Sequence, residues 1–195
     1  MYTGEKKSLE FKFWNARFYQ DENGDIRNKI RRGNGKRQQK DAIATVKTTN
    51  GYLSIDERIN GKKIQVKAHR LAILLHTGKC PGDLEVNHKN QDKADNRIQN
   101  LEVVTRVEHM HKHPKQKNCT SGVTGVCWDK PNQKWRVQIS INGKQTTIGC
   151  FADFDDAVKC RKAAEKEHGY FEEHGMTREE VQEYYKNKEA ENQQR

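Results

Sequence analysis

The chain has 195 residues, a net charge of +10 and a pI near 9.4. This length excludes a large multidomain enzyme. Because only 32% of the residues are hydrophobic and 33% are charged, the composition favours small modules joined by polar segments. The longest aliphatic run, Leu71 to Leu75, is far shorter than the roughly 20 apolar residues of a membrane helix. With no apolar signal segment at the N-terminus, we expect a cytoplasmic protein without membrane contact.

The five cysteines are an odd number, and no two of them form a C-x-x-C pair. This spacing supports neither a disulfide framework nor a cysteine-based zinc ribbon. We therefore expect free thiols at Cys80, Cys119, Cys127, Cys150 and Cys160.

Positive charge is concentrated near the N-terminus, and residues 27–40 contain no acidic residue. Such a run is typical of an arm that contacts the phosphates of a nucleic acid, and a solvated loop is the alternative. No apolar face accompanies the charge, which disfavours a membrane surface. We predict residues 1–49 to be a basic DNA-contacting region whose candidate contacts are Arg27, Lys29, Arg31, Arg32, Lys36 and Arg37.

Two alternating runs flank Asn60-Gly61, which is a strong two-residue hairpin signal. The next segment, AHRLAILLHTG, has apolar residues at helical spacing and ends at Gly78. The sequence thus predicts a hairpin that leads into a helix, with Leu71, Leu74 and Leu75 in the core.

Residues 84–113 predict a ββα unit. The strands are LEVNH and LEVV, a polar loop joins them, and Thr105-x-x-Glu108 is a capping box that opens a short helix. Pro114 disfavours helix in the residue before it. Residues 114–121 are predicted to be a linker.

This unit places four residues where they can converge: Asn87 and His88 end the first strand, Asn100 starts the second, and His109 lies in the helix. Hydrolysis of a phosphodiester needs a base, a cation that neutralises the developing charge, and a group that holds the base in one tautomer. His88, an ion on Asn87 and His109, and Asn100 can fill these roles. A lone histidine is more often structural or solvated.

The stretch VNHKNQDKADNRIQNLEVVTRVEHMHKH resembles the HNH endonuclease motif of homing and phage-encoded nicking enzymes, and the resemblance extends over residues 50–113. It implies that His88 is the general base, that Asn100 orients the imidazole and that His109 is a metal ligand. Asn87 stands where many relatives carry an aspartate, which exchanges an anionic ligand for an amide oxygen. The resemblance implies a host cell of a phage or mobile element. The donor types favour Mg²⁺, with Mn²⁺ or another divalent ion possible.

Other polar residues of this segment receive structural interpretations. His69 is expected to cap or pack its helix, and His111 and His113 to face solvent or phosphate. The polar residues of the loop are expected to shape it, and the alternative is that Asp92 or Asp95 serves as a substitute metal ligand. These loop residues are Asn90, Asp92, Asp95 and Asn96.

Residues 122–169 predict three short strands and a helix that begins at Phe154. The stretch 120–169 resembles the APETALA-type DNA-binding domain, which implies that the exposed face of the sheet reads the major groove. Trp135, Phe151 and Phe154 are expected to pack between sheet and helix, whereas Trp128 is equally consistent with binding. The candidate DNA contacts are Trp128, Lys130, Lys134, Arg136, Gln138, Lys144, Gln145 and Thr147.

Together these patterns predict an α+β protein with a ββα nuclease unit, a three-stranded antiparallel sheet packed on one helix, and an acidic helical tail over residues 170–195. The predicted function is a metal-dependent, site-directed endonuclease acting on double-stranded DNA without an obligate protein partner. The alternative is a DNA-binding protein whose catalytic site has decayed. A purely structural or protein-interaction role is a third interpretation, favoured only by the acidic tail.

Overall fold

The computed structural model describes residues 4–31, 33–59, 61–112, 115 and 119–193. The chain divides into two compact units, Met1–Val104 and Thr105–Arg195. Both combine helices with small antiparallel sheets, so the predicted α+β class is confirmed. Among the described residues, no helix is long and apolar enough to cross a membrane. All five cysteines are free thiols, as predicted.

The first unit contains two α-helices and seven strands within its described residues. The core joins Trp14, Phe18 and Ile26 to Ile55 and Leu71. The N-terminal region therefore shares one core with the central elements, whereas the sequence predicted a separate basic region over residues 1–49. The elements are α1 (Gly4–Arg17), β1 (Phe18–Gln20), β2 (Ile26–Asn28), β3 (Val46–Lys47), β4 (Leu53–Ile59), β5 (Lys62–Lys67), α2 (Ala68–Thr77), β6 (Glu85–His88) and β7 (Leu101–Val104).

The predicted hairpin and helix of this unit are confirmed. Strands β4 and β5 pair from Ser54↔Lys67 to Ile59↔Lys62, which leaves two residues for the turn. Gly61 has a φ of +77°, the left-handed conformation that glycine adopts without strain, while Asn60 lies outside the described residues. Helix α2 follows β5 directly and ends at Gly78.

The two strands and the helix of the predicted ββα segment each form, and the division between the two compact units falls between the second strand and the helix. Strands β6 and β7 pair from Glu85↔Val104 to His88↔Leu101. Helix α3 (Arg106–His111) belongs to the second unit and begins with the predicted capping box of Thr105 and Glu108. His113 and Pro114 lie outside the described residues.

The second unit contains strands β8 (Val126–Asp129), β9 (Lys134–Ile141) and β10 (Lys144–Phe151) and helix α4 (Phe154–Glu167). The strands form an antiparallel sheet in the order β10-β9-β8, which packs on α4 around Val126, Val137 and Ala157. The acidic tail is helical, opens with the predicted capping box of Thr177 and Glu180, and buries Val181. The helix of the tail is α5 (Arg178–Gln193).

Candidate functional site

The candidate site of the first unit lies around His88, which is the last residue of β6 and is only 4% exposed. Its Nε2 lies 3.1 Å from Oδ1 of Asn96. The amide nitrogen of Asn96 donates to the carbonyl of Ala94, which turns Oδ1 towards His88. Nε2 is therefore the donor, and the lone pair is on Nδ1. Burial lowers the pKa of His88, so the ring is neutral at pH 7, the form that a base requires.

Asn100 forms hydrogen bonds to the backbone of the loop that follows His88, and not to the imidazole itself. Its Oδ1 accepts from the backbone N–H of Asn90 at 3.0 Å, and its Nδ2 donates to the carbonyl of Asp95 at 2.8 Å. These bonds close the loop that carries Asn96. The sequence predicted Asn100 as the partner of the imidazole, but the direct partner of His88 is Asn96. The reason is that residues 89–100 fold back and bring Asn96 next to the end of β6.

The other polar side chains of this loop shape it, as predicted. Asp92 accepts from the backbone of Ala94, and Asp95 accepts from Asn90 and from Arg97. Burial acts to raise the pKa of Asp95, but the bonds from Arg97 and Asn90 outweigh burial and leave it below its usual value. A carboxylate so engaged stabilises the loop in one conformation.

Asn87 faces Glu102 across the β6–β7 pair, and its amide nitrogen donates to Oε1 of Glu102 at 2.8 Å. The strand register thus brings a carboxylate beside the amide that replaces the usual aspartate. The sequence analysis did not identify Glu102, although pairing the two predicted strands in register would have placed it opposite Asn87. Within the described part of the chain, no three His, Cys, Asp or Glu side chains group together as a metal site.

The ring of His88 is one of three rings in mutual contact, the others being His69 and Tyr52. The centroid of His69 lies 5.1 Å from that of His88 in an edge-to-face arrangement, and Tyr52 lies 5.3 Å from His69 and 5.9 Å from His88. Burial is the main reason that the pKa of His69 falls to about 3. His69 provides no side-chain cap to α2, so of its two predicted roles the structure supports packing.

His109 lies on α3 and belongs to the second unit, together with His111. The ring of His111 stacks on Tyr170 at a centroid distance of 4.0 Å and an interplanar angle of 18°. This contact corrects the prediction that His111 faces solvent or phosphate. It ties α3 to the segment that precedes α5.

Several cations of the predicted N-terminal arm are engaged within the fold. Arg27 pairs with Asp21 at 2.5 Å, and Lys29 donates to Asn15 at 3.0 Å. Arg31 and Lys36 are exposed, with Arg31 donating to Asn34. Neither Arg32 nor the side chain of Arg37 is among the described parts of the structure.

The sheet of the second unit has one face against α4 and one open face. On β9, Val137 and Ile139 point towards α4, so Lys134, Arg136 and Gln138 point away from it. The register adds two residues of β10 to this open face: Gln145, opposite Ser140, and Thr147, opposite Gln138.

Three other candidate DNA contacts lie elsewhere. Trp128 is opposite Trp135 on the α4 side, with ring centroids 5.1 Å apart, although 44% of it is exposed. Lys144 is opposite Ile141 on that same side, and Lys130 lies in the turn after β8. The alternation of side chains along each strand therefore separates Trp128 and Lys144 from the open face.

Comparison with known proteins supports the central motif. Residues 66–111, about a quarter of the chain, match the HNH endonuclease family, and this segment contains Asn87, His88, Asn100 and His109. No curated protein matches the chain. The chain is similar to a solved structure described as "DNA binding and cleavage by the HNH homing endonuclease I-HmuI", at 19% identity and a TM-score of 0.39 over 84% of this chain and 92% of that chain. The APETALA-type resemblance of residues 120–169 stays a prediction.

Proposed function

We propose that the protein is a metal-dependent DNA endonuclease of the homing type, which nicks or cuts duplex DNA at a specific site. The observation that supports this most is His88, a buried and neutral histidine whose Nε2 is held by Asn96 within the segment that matches the HNH endonuclease family. A histidine with one nitrogen anchored and the other carrying its lone pair is suited to act as a general base.

In the proposed reaction, Nδ1 of His88 takes a proton from the attacking water. The water oxygen bonds to phosphorus, the bond to the 3′ oxygen breaks, and the leaving oxygen takes a proton from solvent. The products carry 5′-phosphate and 3′-hydroxyl ends. Asn96 accepts from Nε2–H throughout, which keeps the correct tautomer before the transfer and stabilises the imidazolium after it. Asn100 acts through the loop, by fixing the backbone around Asn96.

The donor types on β6 and β7 fit a hard divalent ion. Asn87 and Glu102 would supply an amide oxygen and a carboxylate oxygen from neighbouring positions, since the amide nitrogen of Asn87 donates to Oε1 of Glu102. Oxygen donors suit Mg²⁺ and Mn²⁺. The HNH resemblance adds His109 as a further ligand. The bound ion would neutralise charge that develops on the phosphate and the leaving oxygen.

Duplex DNA is the proposed partner of two surfaces. The open sheet face of the second unit offers Arg136 and Lys134 for phosphates and Gln138 and Gln145 for bases, on an element that fits the major groove. The exposed Arg31 and Lys36 of the first unit offer further phosphate contacts.

Incubation of the full chain with supercoiled plasmid, with Mg²⁺, Mn²⁺ or EDTA, tests the proposal. We expect metal-dependent cleavage that falls by roughly 10²–10⁴ in His88→Ala, with DNA affinity retained. His76→Ala is the matched control, since His76 is exposed at the end of α2. Undiminished cleavage by His88→Ala would refute the assignment of the base.

The same experiment tests the alternative function. Asn87 in place of an aspartate favours a DNA-binding protein with a decayed site. Tight binding of duplex DNA without cleavage under any divalent ion would support that alternative, and Asn87→Asp would then be tested for restored cleavage.

A further inference from the structure

Two ammonium groups approach one aromatic ring beside His88. Nζ of Lys67, at the end of β5, lies 5.0 Å from the centroid of Tyr52, and Nζ of Lys93, in the loop after β6, lies 4.9 Å from it. The two nitrogens are therefore no more than about 10 Å apart. Tyr52 itself contacts the ring of His88. The fold thus brings two cations from distant parts of the sequence to the edge of the proposed catalytic site.

The described part of the chain places no neutralising carboxylate on either lysine. Among the described residues, no carboxylate forms an ion pair with Lys67 or Lys93; the one hydrogen bond of Lys93 is to the carbonyl of Asn50. The carboxylate of Asp95, in the same loop as Lys93, is engaged by Arg97. Two unpaired cations at this separation repel each other, and an anion between or beside them would relieve the repulsion.

The start of α2 adds further positive potential at this place. Lys67 is the N-cap residue, no side chain caps the first turn, and no acidic residue lies in that turn. The free N–H groups and the positive end of the helix dipole favour an anion there.

His69, the second residue of the same helix, carries a buried polar atom without a partner. The ring is only 5% exposed and lies against both Tyr52 and His88, and its Nδ1 has no hydrogen-bond partner. A buried unsatisfied polar group is costly and rare in native proteins. Its position beside the lysines and His88 indicates a functional reason for retaining histidine there.

We infer that Lys67, Lys93 and the N-terminus of α2, arranged around Tyr52 and His69, form a binding subsite for a phosphate of the DNA backbone next to His88. This inference rests on the proposed nuclease function, for which it names the groups that hold the substrate strand. Tyr52 is a positioning residue, since it holds both lysines through cation–π contacts.

Titration of the full chain with inorganic phosphate in EDTA, followed by NMR of the aromatic rings, tests the subsite without any cleavage. We expect saturable shifts of the Tyr52 and His69 signals, and about tenfold weaker binding in Lys67→Gln and Lys93→Gln. Lys62→Gln is the matched control, because Lys62 is exposed at the opposite end of β5. Absence of a saturable shift, or an equal loss in Lys62→Gln, would overturn the inference.

A second measurement separates DNA phosphate from free phosphate. The salt dependence of duplex DNA binding should become shallower by about 0.9 in each lysine variant, the slope of one phosphate contact. An unchanged slope in both variants would show that free phosphate, and not the DNA backbone, uses the subsite.

Failure of this inference is distinguishable from failure of the proposed function. If His88→Ala still cuts DNA, the catalytic assignment is wrong, whereas the phosphate titration stands by itself. If His88→Ala is inactive and phosphate does not bind at Tyr52, only the subsite is wrong.

Discussion

Each unit of the protein holds a buried, neutral histidine by a hydrogen bond at Nε2, but these two histidines have different surroundings. In the first unit, His88 is anchored by the uncharged amide of Asn96. In the second, Nε2 of His174 accepts from the buried guanidinium of Arg161 at 3.2 Å, and burial lowers the pKa of His174 to about 4. The permanently charged guanidinium of Arg161 next to Nε2 makes protonation of the ring unfavourable, so we assign His174 a structural role. An amide acceptor instead leaves His88 able to take up a proton.

The hydrogen bonds around His174 join helix α4 and the segment before α5 to strand β9. Arg161 donates to Glu165 at 2.9 Å and to the carbonyl of Gln138 at 2.5 Å, which joins α4 to β9. Tyr170, which packs on the ring of His174, donates its hydroxyl to the carbonyl of Ser140. The second unit thus uses buried charge to fasten the segment before α5, whereas the first unit keeps its polar residues in a loop around His88.

The largest effect should come from breaking the buried network of the second unit. Arg161→Met removes the buried guanidinium from the carboxylate of Glu165, which keeps only Lys162 and the neutral His174 beside it. We expect a loss of about 3–5 kcal/mol in the free energy of unfolding. Urea denaturation measures it. The double variant Arg161→Met/Glu165→Gln should recover part of the loss, and a single variant as stable as the wild type would contradict a structural role for the network.

Breaking the corresponding contact in the first unit should affect cleavage instead. Asn96→Ala removes the acceptor from Nε2 of His88, and we expect a rate loss of about 10–100-fold under single-turnover conditions, because the base is no longer held in one tautomer. Asn23→Ala, at an exposed position in the turn between β1 and β2, is the control. An unchanged rate in Asn96→Ala would mean that another residue orients the imidazole.

Acid should weaken both units, since the folded-state pKa values of His69 and His174, about 3 and about 4, lie below the usual 6.5. The unfolded chain then binds more protons, so this stability is complete above pH 6.5 and is lost progressively as the pH falls towards these values. We expect about 2 kcal/mol per histidine to be lost between pH 7 and 5. Urea unfolding at both pH values should show a flatter dependence in His69→Phe and His174→Phe.

A smaller effect is expected at the proposed metal ligands of the first unit. Glu102→Gln removes the carboxylate that accompanies Asn87, and Mn²⁺ binding measured by calorimetry should weaken about tenfold. Glu22→Gln, at an exposed position, should bind Mn²⁺ like the wild type. Equal affinity in both variants would exclude Glu102 as a ligand.

The smallest effects should distinguish the proposed DNA surfaces of the two units. Arg31→Gln should weaken binding to all DNA sequences alike and lower the salt slope by about 0.9. Gln138→Ala, on the open sheet face, should weaken binding to the target sequence only. A sequence-specific loss in Arg31→Gln would mean that Arg31 reads bases.

Local signals in the sequence were sufficient for the α-helices and strands that follow residue 50, whereas helix α1 and strands β1 to β3 were not predicted. The capping boxes at Thr105 and Thr177, the Asn60-Gly61 turn and the stop at Gly78 act within a few residues, and the helices and strands form where these signals predicted them. The motif residues Asn87, His88, Asn100 and His109 were also identifiable, because the spacing that carries the family resemblance is a property of the sequence.

The sequence by itself therefore determined the α+β class, the ββα unit and the identity of the candidate base. Tertiary structure alone decided what surrounds that base: Asn96 at its Nε2, Tyr52 and His69 against its ring, and Lys67 and Lys93 beside them. It likewise decided that His111 stacks on Tyr170. These contacts join residues far apart in the chain, and they depend on loop closure and strand register, which no short-range pattern encodes.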